Sequence, residues 1–282
     1  MRLVLKEKPP LEFIQPFPAV FGIVNLTPDS FSDGGKYADA PAAAAEAVAM
    51  LDAGAAGVDL GAESTRPGAL EVPPETELER LLPVIRRIRE LRPEAVLSVD
   101  TRKAGVAEAV LDAGADIIND VSAMTFDPRM AEVVSSHDAA VVLMHMRGTP
   151  ATMRNPENMI YDNVTDAVGL YLEDAYARAV SAGIRSDAIL LDPGLGFAKN
   201  PAQDYELVKN AAALRKRLKA PLFYGPSRKS FLSQVCSGRK PAERDYATAG
   251  ILCALAAAKV EIVRVHNVPM ALDCMNAFTR VF

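Results

Sequence analysis

The amino-acid sequence predicts a single (β/α)8 TIM barrel over residues 1–282, and three features of its pattern carry that expectation. Short apolar runs alternate with amphipathic segments of helical length from Val20 to the C-terminus. One helix-ending phrase recurs before a strand, as Leu51-Asp52-Ala53-Gly54-Ala55 and again as Leu111-Asp112-Ala113-Gly114-Ala115. Nearly every apolar run ends in a polar or ionisable residue. Eight such units in about 260 residues suit a closed barrel better than an open sheet. A doubly wound sheet is the alternative, and the lack of a Gly-x-Gly-x-x-Gly turn after the first run weakens it.

In chain order, residues 1–18 read as a lead-in, a candidate hairpin over the barrel floor. The predicted strands are 20–25, 57–61, 96–100, 116–119, 140–145, 188–192, 221–224 and 261–266. Each is apolar over a few residues, as expected of strands buried on both faces of a parallel sheet. Helical patterns follow, among them 41–53, 75–91, 103–112 and 243–258. Asp39 stands where a cap should precede Pro41, and Gly54 where a helix should stop. No composition shift marks a second domain.

Composition narrows the class. Half of the residues are hydrophobic (50%) and 24% are charged, ordinary for a globular chain. A net charge of −5 argues against a nucleic-acid surface. The three cysteines form no Cys-x-x-Cys pair and read as reduced thiols. Lys6, Glu7, Lys8, Pro9 and Pro10 interrupt the N-terminus too early for an export signal. No run approaches the roughly 18 apolar residues of a membrane span. The expected location is the cytoplasm.

In a barrel of this kind the functional face lies at the strand C-termini. The residues there are Asn25, 63–66, Asp100, Asn119, His145, Asp192, 227–229, Arg264 and His266. An unpaired polar group in a buried position costs about 1–3 kcal/mol, so a near-complete polar ring implies a polar ligand. Asp100, Asn119, Asp192 and Lys229 suit a flat heterocycle with an amino-pyrimidinone edge. Asn25, Thr65, Arg66, Arg264 and His266 suit a phosphate or diphosphate with Mg2+ bridging its oxygens. Two glycine-bearing loops, 29–35 and 64–68, are candidates to close over the substrate.

Each residue also has a plainer reading. Asp100-Thr101 would cap the helix near Lys103, Asn119-Asp120 and Asp192-Pro193-Gly194 would form turns, and His145 would be a packed imidazole. His137 reads as surface, 143–146 as core packing, and Lys229 as part of a basic turn. Only their concurrence around one rim favours a site.

The segments Gly22-Ile23-Val24-Asn25-Leu26-Thr27-Pro28-Asp29-Ser30-Phe31-Ser32-Asp33-Gly34-Gly35 and Glu63-Ser64-Thr65-Arg66-Pro67-Gly68 resemble the first two signatures of the dihydropteroate synthases. Ser98-Val99-Asp100-Thr101, Ile117-Ile118-Asn119-Asp120, Leu191-Asp192-Pro193-Gly194, Ser227-Arg228-Lys229-Ser230 and Arg264-Val265-His266 continue the match in order. The resemblance implies a barrel of the pterin-binding type that makes 7,8-dihydropteroate and diphosphate from 7,8-dihydropterin-6-ylmethyl diphosphate and 4-aminobenzoate. It assigns the pterin to Asp100, Asn119, Asp192 and Lys229. Thr65, Arg66, Arg264 and His266 serve the diphosphate, and Asn25 its Mg2+. Phe197, Lys229, Ser230 and the Thr65-Arg66 loop border the aminobenzoate pocket, the family's sulfonamide site. Asp100, Lys229, Arg264 and His266 are the expected catalytic residues, acting through a dissociative step, and a homodimer is expected.

Ala62, Pro226, Ala198 and Asn267 depart from the family's usual residues. The departures at Ala62 and Pro226 leave open a non-catalytic pterin-binding relative. A methyltetrahydrofolate-dependent methyltransferase barrel would share the pterin grip, with no need of Arg264-x-His266.

Overall fold

The computed structural model describes residues 1–13, 18–27 and 39–281. The lead-in forms a short antiparallel pair, β1 (Arg2–Leu3) and β2 (Leu11–Glu12). The predicted strands follow as β3 (Ala19–Asn25), β4 (Gly57–Gly61), β5 (Leu97–Asp100), β6 (Ile117–Asp120), β7 (Ala140–Met144), β8 (Ile189–Asp192), β9 (Phe223–Tyr224) and β10 (Ile262–Val265). They form one parallel sheet in the order β8-β7-β6-β5-β4-β3-β10-β9. A parallel bridge between Leu191 and Leu222 joins its two ends, so the sheet is a closed barrel. His145 and His266 lie one residue beyond their strands.

Around the barrel run α1 (Ala40–Asp52), α2 (Pro74–Leu91), α3 (Ala104–Asp112), α4 (Met130–Ser136), α5 (Val164–Ser181), α6 (Pro201–Lys209), α7 (Ala211–Arg217), α8 (Asp245–Ala257) and α9 (Val268–Thr279). Leu81, Val84, Ile85 and Ile88 repeat at helical spacing and form the buried stripe of α2. The recurrent phrase is explained by backbone geometry. After α1 and α3 the chain turns at Gly54 (φ 106°) and Gly114 (φ 104°), a conformation that Cβ-bearing residues resist.

Two expected caps work differently. Asp39 occupies the N-cap of α1, but its side chain makes no capping hydrogen bond. Asp100 does not cap α3. Thr101 Oγ1 accepts from Lys103 N (3.3 Å) and Asp127 Oδ2 from Ala104 N (2.9 Å), so the Asp100 carboxylate is left for the barrel mouth.

Apolar packing occupies separate zones. The largest lies between strands and helices. At the barrel floor, Leu3 and Leu5 from the lead-in pack with Phe21, Ile117, Val142, Leu190, Phe223 and Ile262. Near the site, Val121, Met144, Met146, Met153, Phe197 and Ala198 form a small cluster, so the methionines of 143–146 do pack as core. Cys236, Cys253 and Cys274 are free thiols, and Cys253 and Cys274 bring their sulfurs to 3.3 Å. Among the described residues no helix is long and apolar enough to cross a membrane.

Candidate active site

Parallel pairing sets Asp100 beside Gly61 on one side and Asn119 on the other, at the ends of β5, β4 and β6. Arg264, near the end of β10, brings Nη1 to 3.8 Å from Asp100 Oδ2. The same nitrogen forms an ion pair with Asp59, which also accepts from Ser98 Oγ (2.6 Å) and Asn119 Nδ2 (3.1 Å). Gly225 makes room for this side chain, since a Cβ there would lie 2.9 Å from Arg264 Nε. Arg264 therefore stands beside the carboxylates Asp59 and Asp100 as well as within electrostatic reach of His266. A buried guanidinium needs counter-charge, which Asp59 and Asp100 supply. Two buried polar atoms here, Asn119 Oδ1 and Arg264 Nε, have no hydrogen-bond partner among the described residues. Such orphans are expected where a ligand completes the bonding.

On the opposite wall, Asp192 ends β8. Its Oδ1 accepts from Gly194 N (2.7 Å), so the turn reading and the site reading hold together. Lys229 donates to Leu195 O (2.8 Å) and sits 4.2 Å above the Phe197 ring. Ser230 Oγ accepts from Arg154 Nη2 at 3.2 Å. The loop carrying Leu195 and Phe197 is pinned from below by the fully buried Lys199. Its ammonium donates to Gly194 O (2.9 Å), Phe197 O (2.8 Å) and His145 Nδ1 (2.9 Å). Burial first, then Lys199 and Arg147, hold His145 well below the usual imidazole range, so its ring is neutral and accepts that bond. His145 is thus a packed imidazole supporting the loop, with Tyr171 edge-on at 4.9 Å. His137, by contrast, sits partly exposed against Asp112.

On the third side, the Asn25 amide lies 3.4 Å from His266 Nε2, and His266 Nδ1 lies 2.9 Å from Ser227 Oγ. Burial, then Arg228 and Arg264, push His266 down to about 3. Thr65 is half-buried and Arg66 exposed on their loop, whose base is stapled by Glu63. That carboxylate accepts from Val72 N (2.8 Å) and Lys103 Nζ (2.6 Å), while Gly68 N donates to Pro150 O (3.0 Å). The loop 29–35 lies outside the described residues.

A resident metal cage is not what these side chains offer: among the described residues, no three His, Cys, Asp or Glu cluster in a way that would hold an ion. Asn25 supplies one amide, whose oxygen is a hard donor. That set fits Mg2+ carried mainly by substrate oxygens, the usual mode for this ion.

Three of the four departures have a describable setting, and nothing in the structure explains Pro226. Ala198 holds a left-handed φ of 50°, which costs an L-residue about 1–2 kcal/mol and accounts for a usual glycine there. The Asn267 side chain caps α9 at Met270 N (3.1 Å) and donates to Asp245 Oδ2 (3.0 Å), where an aspartate would face a like charge. Ala62 is fully buried, and its carbonyl accepts from Arg80 Nη1 (2.8 Å).

Asp59, Lys199 and Lys103 are absent from the candidate site residues that the sequence singled out, and Glu63, which was among the rim residues, staples the loop through Lys103. One signal was available, a carboxylate in the middle of the otherwise apolar β4. Asp120, by contrast, turns away to Ser122 and Met124 and is a turn former.

Electrostatics yields a pH prediction. Burial pushes Asp100 up to about 8, with Arg264 pulling it down and Asp59, Glu77 and Asp120 pushing it up. Burial pulls Lys229 down to about 8, helped by Arg264 and opposed by Asp192, Asp204 and Asp100. If ionised Asp100 and protonated Lys229 are both needed, activity rises as Asp100 loses its proton and falls as Lys229 does. The kcat/KM for the ligand of this rim should trace a narrow bell centred near pH 8 in the free enzyme. In Asp100→Asn the acid limb should vanish; a flat profile would remove both assignments.

Comparison with known proteins places the chain in a family. Residues 21–266 match the family model described as "Pterin binding enzyme". The chain is 41% identical over 259 residues to the dihydropteroate synthase of Synechocystis sp., covering 92% of this chain and 88% of that protein. Among solved structures it resembles Yersinia pestis dihydropteroate synthase in a sulfonamide drug complex (TM-score 0.91, 36% identity, covering 100% of this chain and 99% of that one). It also resembles the Xanthomonas albilineans dihydropteroate synthase in complex with 7,8-dihydropteroate (TM-score 0.87, 33% identity, covering 100% and 98%).

Proposed function

Because the chain belongs to the dihydropteroate synthases, a family of pterin-binding enzymes, we propose that the polar ring at its barrel mouth is where that family's reaction takes place. The chain is a transferase of folate biosynthesis. It condenses 7,8-dihydropterin-6-ylmethyl diphosphate with 4-aminobenzoate, giving 7,8-dihydropteroate and diphosphate. The observation that supports this location is the pair of orphaned buried atoms, Asn119 Oδ1 and Arg264 Nε, beside Asp100.

In our reading Asp100, Asn119, Asp192 and Lys229 hold the pterin by its ring nitrogens, amino group and carbonyl. Breaking the C–O bond sends its electron pair to the diphosphate and leaves positive charge on the methylene, shared with the electron-rich ring. Asp100 and Asp192 stabilise that charge. Arg264 pairs with Asp59 beside Asp100 and faces the departing anion, while His266 offers a ring nitrogen to the same oxygens. Mg2+, when bound through Asn25 and the diphosphate, would offset the charge on the leaving group. The aryl amine then attacks the methylene, and the resulting ammonium gives its proton to the released diphosphate to complete the C–N bond. Phe197, Ser230 and the Thr65-Arg66 loop orient the aminobenzoate. Homodimeric assembly and a cytoplasmic location belong to the same proposal, on the strength of the family resemblance.

The test is a mass-spectrometric assay with pterin diphosphate, 4-aminobenzoate and Mg2+. We expect a dihydropteroate signal that requires all three. Folded protein that binds the pterin and yields no product would point to a non-catalytic relative.

A further inference from the structure

Asp59 is a charge where a strand interior has little place for one. It lies in the middle of β4 between Val58 and Leu60, all three buried, with 1% of its surface exposed. Its partners account for its presence. Oδ1 accepts from Ser98 Oγ, and Oδ2 meets both Asn119 Nδ2 (3.1 Å) and the Arg264 guanidinium.

A carboxylate paired with a guanidinium has only acceptors to offer. The Asn119 amide can face it only through its NH2 group. Its carbonyl oxygen must then point away from Asp59, and this oxygen is the buried acceptor with no partner among the described residues. The same carboxylate holds Arg264 beside Asp100, with Arg264 Nε a buried donor that likewise lacks a partner. One side chain that does not itself belong to the polar rim thus sets the amide orientation of Asn119 and the position of Arg264.

We infer that Asp59 is a positioning residue for the pterin: it locks Asn119 with its carbonyl oxygen toward the ligand, so the site demands a ligand N–H there, and it fixes Arg264 alongside. This rests on reading the rim as the pterin site. A pterin that presents an N–H to Asn119 is accepted, and an analogue that presents a bare nitrogen or an N-methyl at that point is disfavoured.

The experiment is a double-mutant cycle read by equilibrium binding of the pterin diphosphate and by steady-state KM. Asp59→Asn is close in size, leaves Asp100 as a counter-charge for Arg264, and lets the facing amide sit either way round. It should weaken pterin binding about 10–100-fold, the scale of one charge-assisted hydrogen bond. KM for 4-aminobenzoate at saturating pterin should change less than about twofold, a split that general loosening of the barrel would not produce. In an Asn119→Ala background, with no amide to orient, the same substitution should cost at least fivefold less, the signature of coupled residues. Equal losses in both backgrounds, or unchanged pterin affinity in Asp59→Asn, would overturn the inference. If Asn119→Ala alone leaves pterin binding intact, the underlying site reading fails instead. Should Asp59→Asn not fold, unmutated enzyme serves with analogues each lacking one N–H. At least one should bind tenfold or more weakly to the wild type and show no further loss in Asn119→Ala, and additive losses for every analogue would contradict the lock.

Discussion

Asp100→Asn should lose turnover by about 10²–10³-fold, the size seen when one preorganised charge-stabilising group is removed. The asparagine keeps the shape and one acceptor oxygen, so pterin diphosphate affinity should fall no more than about tenfold, roughly one hydrogen bond. Asp100 lies at the end of β5, beside Asn119 and 3.8 Å from Arg264. Its negative charge is placed to strengthen its effect as the methylene becomes cationic. An interaction that grows in the transition state appears in kcat, whereas a uniform binding contact would appear in KM. Turnover near that of the wild type, measured by product formation at saturating substrates, would remove Asp100 from the mechanism.

Arg264→Met is the second large effect, and it should reach stability as well as activity. The guanidinium is nearly buried, its side chain 10% exposed, and pairs with Asp59 while approaching Asp100. Removing it leaves the Asp59 carboxylate buried without its cation. Breaking such a pair costs about 3–5 kcal/mol, and for a domain of this size 3 kcal/mol lowers Tm by roughly 6–12 °C. Turnover should drop by on the order of 10²–10³-fold because the leaving anion loses a preorganised donor. Adding Asp59→Asn to Arg264→Met should recover part of the Tm, since it removes one stranded charge. Calorimetry checks both numbers, and a Tm within a degree or two of the wild type would show that the pair contributes little.

How far the sequence could be read depended on what each residue's neighbours are. The strands were legible because Val, Ile and Leu runs such as 140–144 are buried on both faces, which few other arrangements permit. The helix-to-strand turns were legible because Gly54 and Gly114 need a backbone that glycine alone adopts easily. Asp100, Asn119 and Asp192 were legible because they lie at or next to strand ends, where the fold puts chemistry. Asp59, Lys199 and Lys103 were not, since their roles depend on partners 26 to 205 residues away or on a loop's shape. Lys199 looks like an ordinary surface lysine until the loop wraps its carbonyls around it. The pairing of Arg264 with Asp59 was not legible either, because it depends on β10 and β4 flanking the same strand, β3, and on the space left at Gly225.

The central claim is that this ring stabilises a cleaved pterin methylene cation beside its diphosphate. The most direct test places ¹⁸O in the bridging C–O–P position of the pterin diphosphate and incubates it with enzyme, Mg2+ and benzoate, which fills the aminobenzoate pocket without a nucleophile. The account predicts that the label moves into non-bridging phosphate positions without net consumption of substrate, and that Asp100→Asn suppresses the exchange. Label that stays in the bridge, in enzyme that turns over normally once 4-aminobenzoate is added, would contradict it.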